Sequence, residues 1–172
     1  FHELYSQNTW SKWLNSVIGV QFETQKMGSS EINLTTKKES ISLTKGDTGI
    51  QNVDVFANLN FTIQNFHLDM GGRMNHHSKY KENFVYSVNP YYLHEYNDWF
   101  GKIGFSHATA FIAPTIYQTF GNAYIVPNFD LKPETNQSNE LDFAFGKKDR
   151  SFVFSANFFQ RKEKNTFKYV SL

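Results

Sequence analysis

The chain is 172 residues long, carries a formal net charge of +1, contains no cysteine and gives 17% of its positions to aromatics, chiefly phenylalanine. The length suits one domain, the near-neutral charge excludes the basic footprint that a nucleic-acid partner requires, and the missing thiols remove disulfides, thiolate metal sites and cysteine nucleophiles. Low mean hydropathy, with no apolar run near 18 residues, excludes a membrane-spanning helix but not a membrane barrel, whose strands show only every second residue to lipid.

Asn, Ser and Thr fill the spaces between the aromatics, a composition that favours strands and turns and predicts an all-β fold. The chain opens at Phe1 with neither an initiator methionine nor a basic-then-apolar signal segment, so it is expected to be a piece of something longer. Residues 1–7 read as the end of a strand, followed by a polar turn at Asn8 and Thr9. From Trp13 to Lys26, Leu14, Ile18, Val20 and Phe22 share one face, with Asn15, Gln21, Glu23 and Gln25 on the other. Met27 to Gly49, rich in Ser, Thr, Lys and Gly, reads as a long exposed loop. The N-x-S/T triplets at Asn33 and Asn60 are chance matches, since Asn60 falls inside the next strand.

That strand, about Asn52 to Ile63, alternates Val53, Val55, Ala57, Leu59, Phe61 and Ile63 against asparagines, Asp54 and Thr62. Gln64 and Asn65 form a tight turn into Phe66–Ser78, where Phe66, Leu68, Met70 and Met74 oppose His67, Asp69, Arg73, Asn75 and His77. A polar break at 79–83 precedes a strand from Phe84 to about Tyr96, and Pro90 within it predicts a bulge because proline removes a ladder donor. Asn97 and Asp98 turn the chain into Trp99–Thr109. Phe111 to Glu134 then forms a long loop: three prolines and Gly121 forbid a strand, while its aromatics argue for a packed, functional loop. Alternation resumes with Leu141, Phe143 and Phe145, passes a charged turn at 147–150, and continues with Phe152, Phe154, Ala156 and Phe158. After a polar break at 162–165, Thr166 to Leu172 would begin one more strand.

Every second connection is short, so the tight turns gather at one end of an antiparallel up-and-down meander and the large loops at the other. Transmembrane β-barrels are built this way, with apolar residues facing lipid, a polar interior and aromatic girdles, and Trp13 and Trp99 fit a girdle at the short-turn end. A soluble antiparallel sheet with one solvated face gives the same alternation, and a soluble β-sandwich binding ligand or carbohydrate is the alternative function. The ordered connections and the scarcity of charge on seven apolar faces favour part of a large transmembrane barrel over the whole of 1–172.

From Ser106 onward, SHATAFIAPTIYQTFGNAYIVPNFDLKPETNQSNELDF resembles the signature region of TonB-dependent outer-membrane receptors. The pattern there is Ser-x-x-Thr-x-Phe, Arg-Ala-Pro, a helical turn, Gly-Asn-Pro-Asp-Leu-Lys-Pro-Glu-Thr and a strand beginning Ser-x-Glu-Leu. The matching residues are Thr109, Phe111, Ala113, Pro114, Tyr117, Asp130, Leu131, Lys132, Pro133, Glu134, Thr135, Glu140 and Leu141. Gly71 and Arg73 resemble the family's Gly-x-Arg-x-Asp strand end, and the NPYYLHEYNDW segment is also similar. The flavour is that of the cobalamin-receptor branch. Ile112 stands where the family has arginine, and VPNF replaces Gly-Asn-Pro.

The resemblance implies a barrel of about twenty-two strands with a plugged lumen, in the bacterial outer membrane and in contact with its lipid. It implies binding of a small scarce nutrient, cobalamin, an iron–siderophore or similar, and import powered by the TonB complex through an N-terminal plug and TonB box. This chain would supply roughly seven strands and could not transport alone. Tyr117, Phe120 and Tyr124 are candidate ligand contacts, since loop aromatics at a barrel mouth offer area at low entropy cost, although packing of the loop on itself explains them too. Phe111, Pro114, Leu131, Lys132, Pro133 and Glu134 read as structural, fixing how the loop re-enters the wall.

His67, Asp69 and His77 share a polar face, but His67 and His77 stand about 33 Å apart on a straight strand and cannot share an ion. Glu140 and Asp142 read as lumen carboxylates with Arg73 and Arg161 as salt-bridge partners. No Ser–His pair or phosphate-cradling loop is present, so neither catalysis, a metal nor a cofactor is expected.

Overall fold

A computed structural model describes residues 1–44, 46, 48–121 and 125–168. Eight strands form one antiparallel sheet in sequence order: β1 (His2–Ser11), β2 (Leu14–Gln25), β5 (Ile50–Ile63), β6 (Phe66–His77), β7 (Lys81–Tyr96), β8 (Trp99–Ile112), β9 (Glu134–Lys147) and β10 (Val153–Lys164). A separate small sheet pairs β3 (Ser29–Ile32) with β4 (Glu39–Leu43), and α1 (Ile116–Phe120) is a single helical turn and a half. In the large sheet the strands pair in chain order, β2 meeting β5 across the inserted β3–β4 pair, which leaves β1 and β10 as its two edges.

Register places one parity of residues on each face. Across the sheet, Val20 lies opposite Val55, Val55 opposite Met74 and Met74 opposite Phe84, and further along Ile103 lies opposite Phe143. Among the described residues no second layer covers this apolar face: Ile18, Val55, Met74, Phe84, Phe105, Phe145 and Phe158 are all between 43% and 65% exposed. Among the described residues the buried apolar side chains are Ile50, Ile116 and Pro114. A sandwich would have buried Leu59, Phe143 and Phe154 between two sheets; Leu59 and Phe143 are half-buried and Phe154 stands exposed on a single sheet. In water such a face is an aggregation surface, and in a bilayer it is the lipid contact.

The connections at 12–13, 64–65, 97–98 and 148–152 are short and those at 26–49 and 113–133 at the other end are long, as the alternating rhythm predicts, but the 78–80 connection at that end is only three residues. Gln64 and Asn97 adopt φ of 53° and 47°, the left-handed conformation that lets two residues reverse the chain. Near this end Trp13 stacks on Phe61 at 6.2 Å, Trp99 stacks on Phe145 at 5.0 Å, and the Trp10 indole N–H donates to Ser16 Oγ at 2.7 Å. The girdle therefore includes Trp10.

Several boundaries differ from the sequence reading. Pairing continues through Asn8↔Ser16, and the first turn falls at Lys12–Trp13, after a register shift between Thr9 and Ser11. The 27–49 connection is not one irregular loop, since β3 and β4 pair within it and Thr48, fully buried, accepts the N–H of Met27 at 2.9 Å. Pro90 makes no bulge. Register with β6 runs through Leu68↔Pro90, and register with β8 is the same on both sides of it, Val88↔His107 and Tyr91↔Gly104. The break at 79–83 shrinks to 78–80, and β10 runs through the first three residues of the expected 162–165 break because Lys162 and Lys164 still pair with Gln137 and Thr135. Residues 166–168 are not in a strand, and the rest of the further strand expected there lies outside the described residues.

Candidate functional site

The 113–133 connection lies at the long-loop end and is built around α1. Thr115 is its N-cap: its hydroxyl accepts the Gln118 N–H at 3.2 Å, while the Gln118 carboxamide oxygen accepts the Thr115 N–H at 2.8 Å. This reciprocal pair satisfies two of the free donors at the start of a helix. Gly121 ends it at φ 73°, its N–H donating to the Tyr117 carbonyl at 2.9 Å. A Cβ there would come within 2.5 Å of the Ile125 carbonyl, so both conformation and crowding require glycine. The helix buries Ile116 and Thr119, and Pro114 before it is fully buried.

The loop is tied to the 78–80 turn, some fifty residues earlier. The Lys79 ammonium donates to the Phe129 carbonyl at 3.3 Å and lies over the Phe129 and Tyr80 rings at 5.8 and 5.4 Å from their centroids. Phe129 packs edge-on against Phe120 at 5.7 Å, and the Asn128 N–H reaches the Gln118 carbonyl. The turn itself is held by His77, 3% exposed, whose Nδ1 accepts the N–H groups of Lys79 and Tyr80 at 3.1 and 3.3 Å. Two backbone donors on one ring nitrogen require that nitrogen to be unprotonated. The Tyr80 and Thr119 hydroxyls are both cut off from solvent, and neither makes a hydrogen bond of good geometry among the described residues. Burial pushes the Tyr80 hydroxyl pKa up, with the neighbouring Thr119 hydroxyl acting against it.

Of the three aromatic candidates, Tyr117 projects from α1 at 49% exposure, Phe120 is half-buried against Phe129, and Tyr124 lies outside the described residues. Phe111 is half-buried near the end of β8, paired with Thr135. Leu131 and Pro133 are half-buried and Lys132 is exposed. Glu134 opens β9 opposite Ile112 and accepts the N–H of Phe167, while Asn165 donates to the Pro133 carbonyl at 3.1 Å. Lys79 and Phe129, which join the two outer connections, carry no signal in the sequence, because nothing local marks a contact between residues so far apart.

On the polar face, His67 stacks on Tyr91 at 4.4 Å, Asp69 accepts from Asn60 at 2.7 Å, and Asn75 donates to the buried Asp54 at 2.9 Å. The expected arginine partners of the lumen carboxylates are replaced. Asp142 pairs with Lys102 at 3.2 Å, Arg73 lies over the Phe56 ring, and Arg161 pairs with Glu163 at 3.5 Å. Strand order accounts for Asp142 and Arg73: Asp142 lies opposite Gly104 on β8, two residues from Lys102, whereas Arg73 sits on β6, two strands farther from β9 than β8 is; Arg161 is on β10, beside β9, and strand order does not explain its pairing with Glu163.

A single sheet with an uncovered apolar face, a polar opposite face and unequal ends defines a wall segment of an outer-membrane-type barrel. The family model "TonB dependent receptor-like, beta-barrel" matches residues 2–172, and the chain belongs to that family. The cobalamin-branch likeness has no counterpart in that match. No curated protein and no solved structure matches the chain. As a member of the family it is a segment of an outer-membrane receptor, and the family is one of receptors and transporters.

Proposed function

We propose that the chain forms part of the barrel of a receptor in the bacterial outer membrane that takes up a scarce nutrient, cobalamin, an iron–siderophore or a ligand of similar size, with energy supplied through TonB. The 113–133 connection supplies part of the ligand-binding mouth. The observation that carries this reading is Tyr117, an exposed aromatic on a helix fixed by a capping box and by the Lys79–Phe129 tie. A rigid aromatic at a barrel mouth offers contact area with few torsions to freeze on binding. Phe120 supports Tyr117 from within the loop, and Tyr124 belongs to the same contact set. Phe111, Pro114, Leu131, Lys132, Pro133 and Glu134 fix the loop's exit from and return to the wall.

The test is uptake of radiolabelled cobalamin and of iron-loaded siderophores by cells carrying the intact receptor, with and without a functional TonB. Tyr117→Ala should weaken half-saturation by roughly five- to thirtyfold, the loss of about 1–2 kcal/mol of contact, with receptor abundance unchanged. Uptake of every ligand independent of TonB would refute the transport reading. Unchanged half-saturation in the variant would refute the role of Tyr117.

A further inference from the structure

Between β6 and β7 the chain reverses over residues 78–80, and one titratable side chain holds that turn. His77, buried at the end of β6, packs against the Tyr80 ring at 4.9 Å, and its Nδ1 accepts the N–H groups of Lys79 and Tyr80 at 3.1 and 3.3 Å. It is the last of the twelve residues of β6, which start at a short turn. That places it about 36 Å along the strand, or roughly 26–30 Å along the membrane normal at the usual tilt, beyond an apolar band of about 25 Å. The same turn anchors the 113–133 loop: Lys79 donates to the Phe129 carbonyl, and the Tyr80 hydroxyl is buried beside that of Thr119 in α1. The imidazole can accept both amide donors only while Nδ1 carries no proton. Protonation would set a third N–H where two already converge, so ring and turn could not keep this geometry.

Nothing around the ring offsets a positive charge. Asn52 of β5 and Lys81 of β7 stand opposite His77 in the ladder, and α1, packed on Tyr80, carries no charged residue. A polar pocket of about 240 Å³ places Glu23 of β2, Asp54 of β5 and Arg73 of β6 on the same face. Glu23 accepts from Gln25 and Asp54 from Asn75, and among the described residues neither carboxylate comes within ion-pair distance of His77. Glu82 engages His76 instead. Burial first, then the charges of Lys79 and His76, hold the His77 pKa below its ordinary value of 6.5. Once the turn opens, the ring meets water and titrates near that ordinary value, so the open form binds the proton more tightly. The closed form is therefore fully favoured above about pH 6.5 and loses ground as the pH falls below it.

We propose that His77 is a pH-operated latch for the outer loops: neutral, it holds the 78–80 turn against the 113–133 loop, and protonated, it releases the turn and loosens α1 together with Tyr117. The latch rests on the geometry of the turn. Its consequence, nutrient capture that weakens in acid, rests on the reading of 113–133 as part of the binding mouth.

The experiment uses the intact receptor in detergent and follows amide hydrogen exchange at the Thr119 and Gly121 N–H groups at about pH 7.5 and about pH 5, corrected for the intrinsic rate at each. Wild-type protection should fall about tenfold, and by no more than about thirtyfold, the charged-to-neutral ratio of an imidazole about 1.5 pH units below its ordinary pKa. His77→Asn, whose carboxamide oxygen can accept the same two N–H groups without titrating, should keep the loop protected at both pH values. His77→Ala should leave it loosened at both while the β8–β9 ladder stays protected, and His76→Asn should respond to acid like the wild type. The proposal is overturned if wild-type protection is the same at both pH values, if His77→Asn loses protection in acid as the wild type does, or if His77→Ala is as protected as the wild type at neutral pH. Half-saturation for radiolabelled cobalamin and for iron-loaded siderophores at the same pH values separates the two readings: a loop that loosens in acid with half-saturation unchanged supports the latch and refutes the mouth assignment.

Discussion

Removing Lys79 tests whether the 113–133 loop is held by its tie to the 78–80 turn. The ammonium makes one hydrogen bond to the Phe129 carbonyl at 3.3 Å and lies over the Phe129 ring at 5.8 Å. An exposed cation–ring contact contributes about 0.5–1 kcal/mol and a net hydrogen bond about 0.5–1.5 kcal/mol. Lys79→Ala should therefore loosen the loop by about 1–2 kcal/mol, a five- to thirtyfold rise in its open population. Amide hydrogen exchange on the intact receptor reads this at the Thr119 and Gly121 N–H groups, which bond to Thr115 and Tyr117 within the helix. Their protection should fall by that factor, while amides of the β8–β9 ladder keep theirs. Lys79→Met keeps most of the apolar stem and should behave nearly like the alanine variant. Unchanged protection at Thr119 and Gly121, or equal loss throughout the sheet, would refute the argument that this contact positions the loop.

Two further variants test the wall. Thr109→Val removes the hydroxyl that accepts the Tyr86 N–H where β7 and β8 part, and should cost about 0.5–1.5 kcal/mol in the urea unfolding midpoint, with Thr109→Ser close to wild type. At Gly104 any Cβ would collide with the Asp142 carboxylate and drive it from Lys102, so Gly104→Val should cost about 1–3 kcal/mol. Adding Asp142→Ala should recover most of that loss, and strictly additive destabilisation in the double variant would show that the collision is not its source.

The strands and their faces were legible in the sequence because a strand's side-chain period is two and each position declares its face by its own polarity. Leu14 to Phe22, Val53 to Ile63 and Leu141 to Phe145 needed no partner to be read. Turn chemistry at Gln64–Asn65 and Asn97–Asp98 is equally local, which is why the rhythm of short and long connections emerged. The signature from Thr109 to Leu141 pointed to the family whose model matches residues 2–172.

What only the tertiary structure decided depends on partners distant in the chain. Asn8 and Thr9 look like turn residues, yet pairing with Ser16 and Asn15 holds them in β1 and moves the turn to Lys12. Pro90 looks like a bulge, but β6 and β8 pair on either side of it without changing step, because losing one donor need not insert a residue. Asp142 finds Lys102 rather than an arginine, and Lys79 finds Phe129, because strand order brings them together. The polarity of a residue is its own property and fixes its face. Which residue it meets on that face is set by register and by the return path of loops, and these exist only once the sheet has formed.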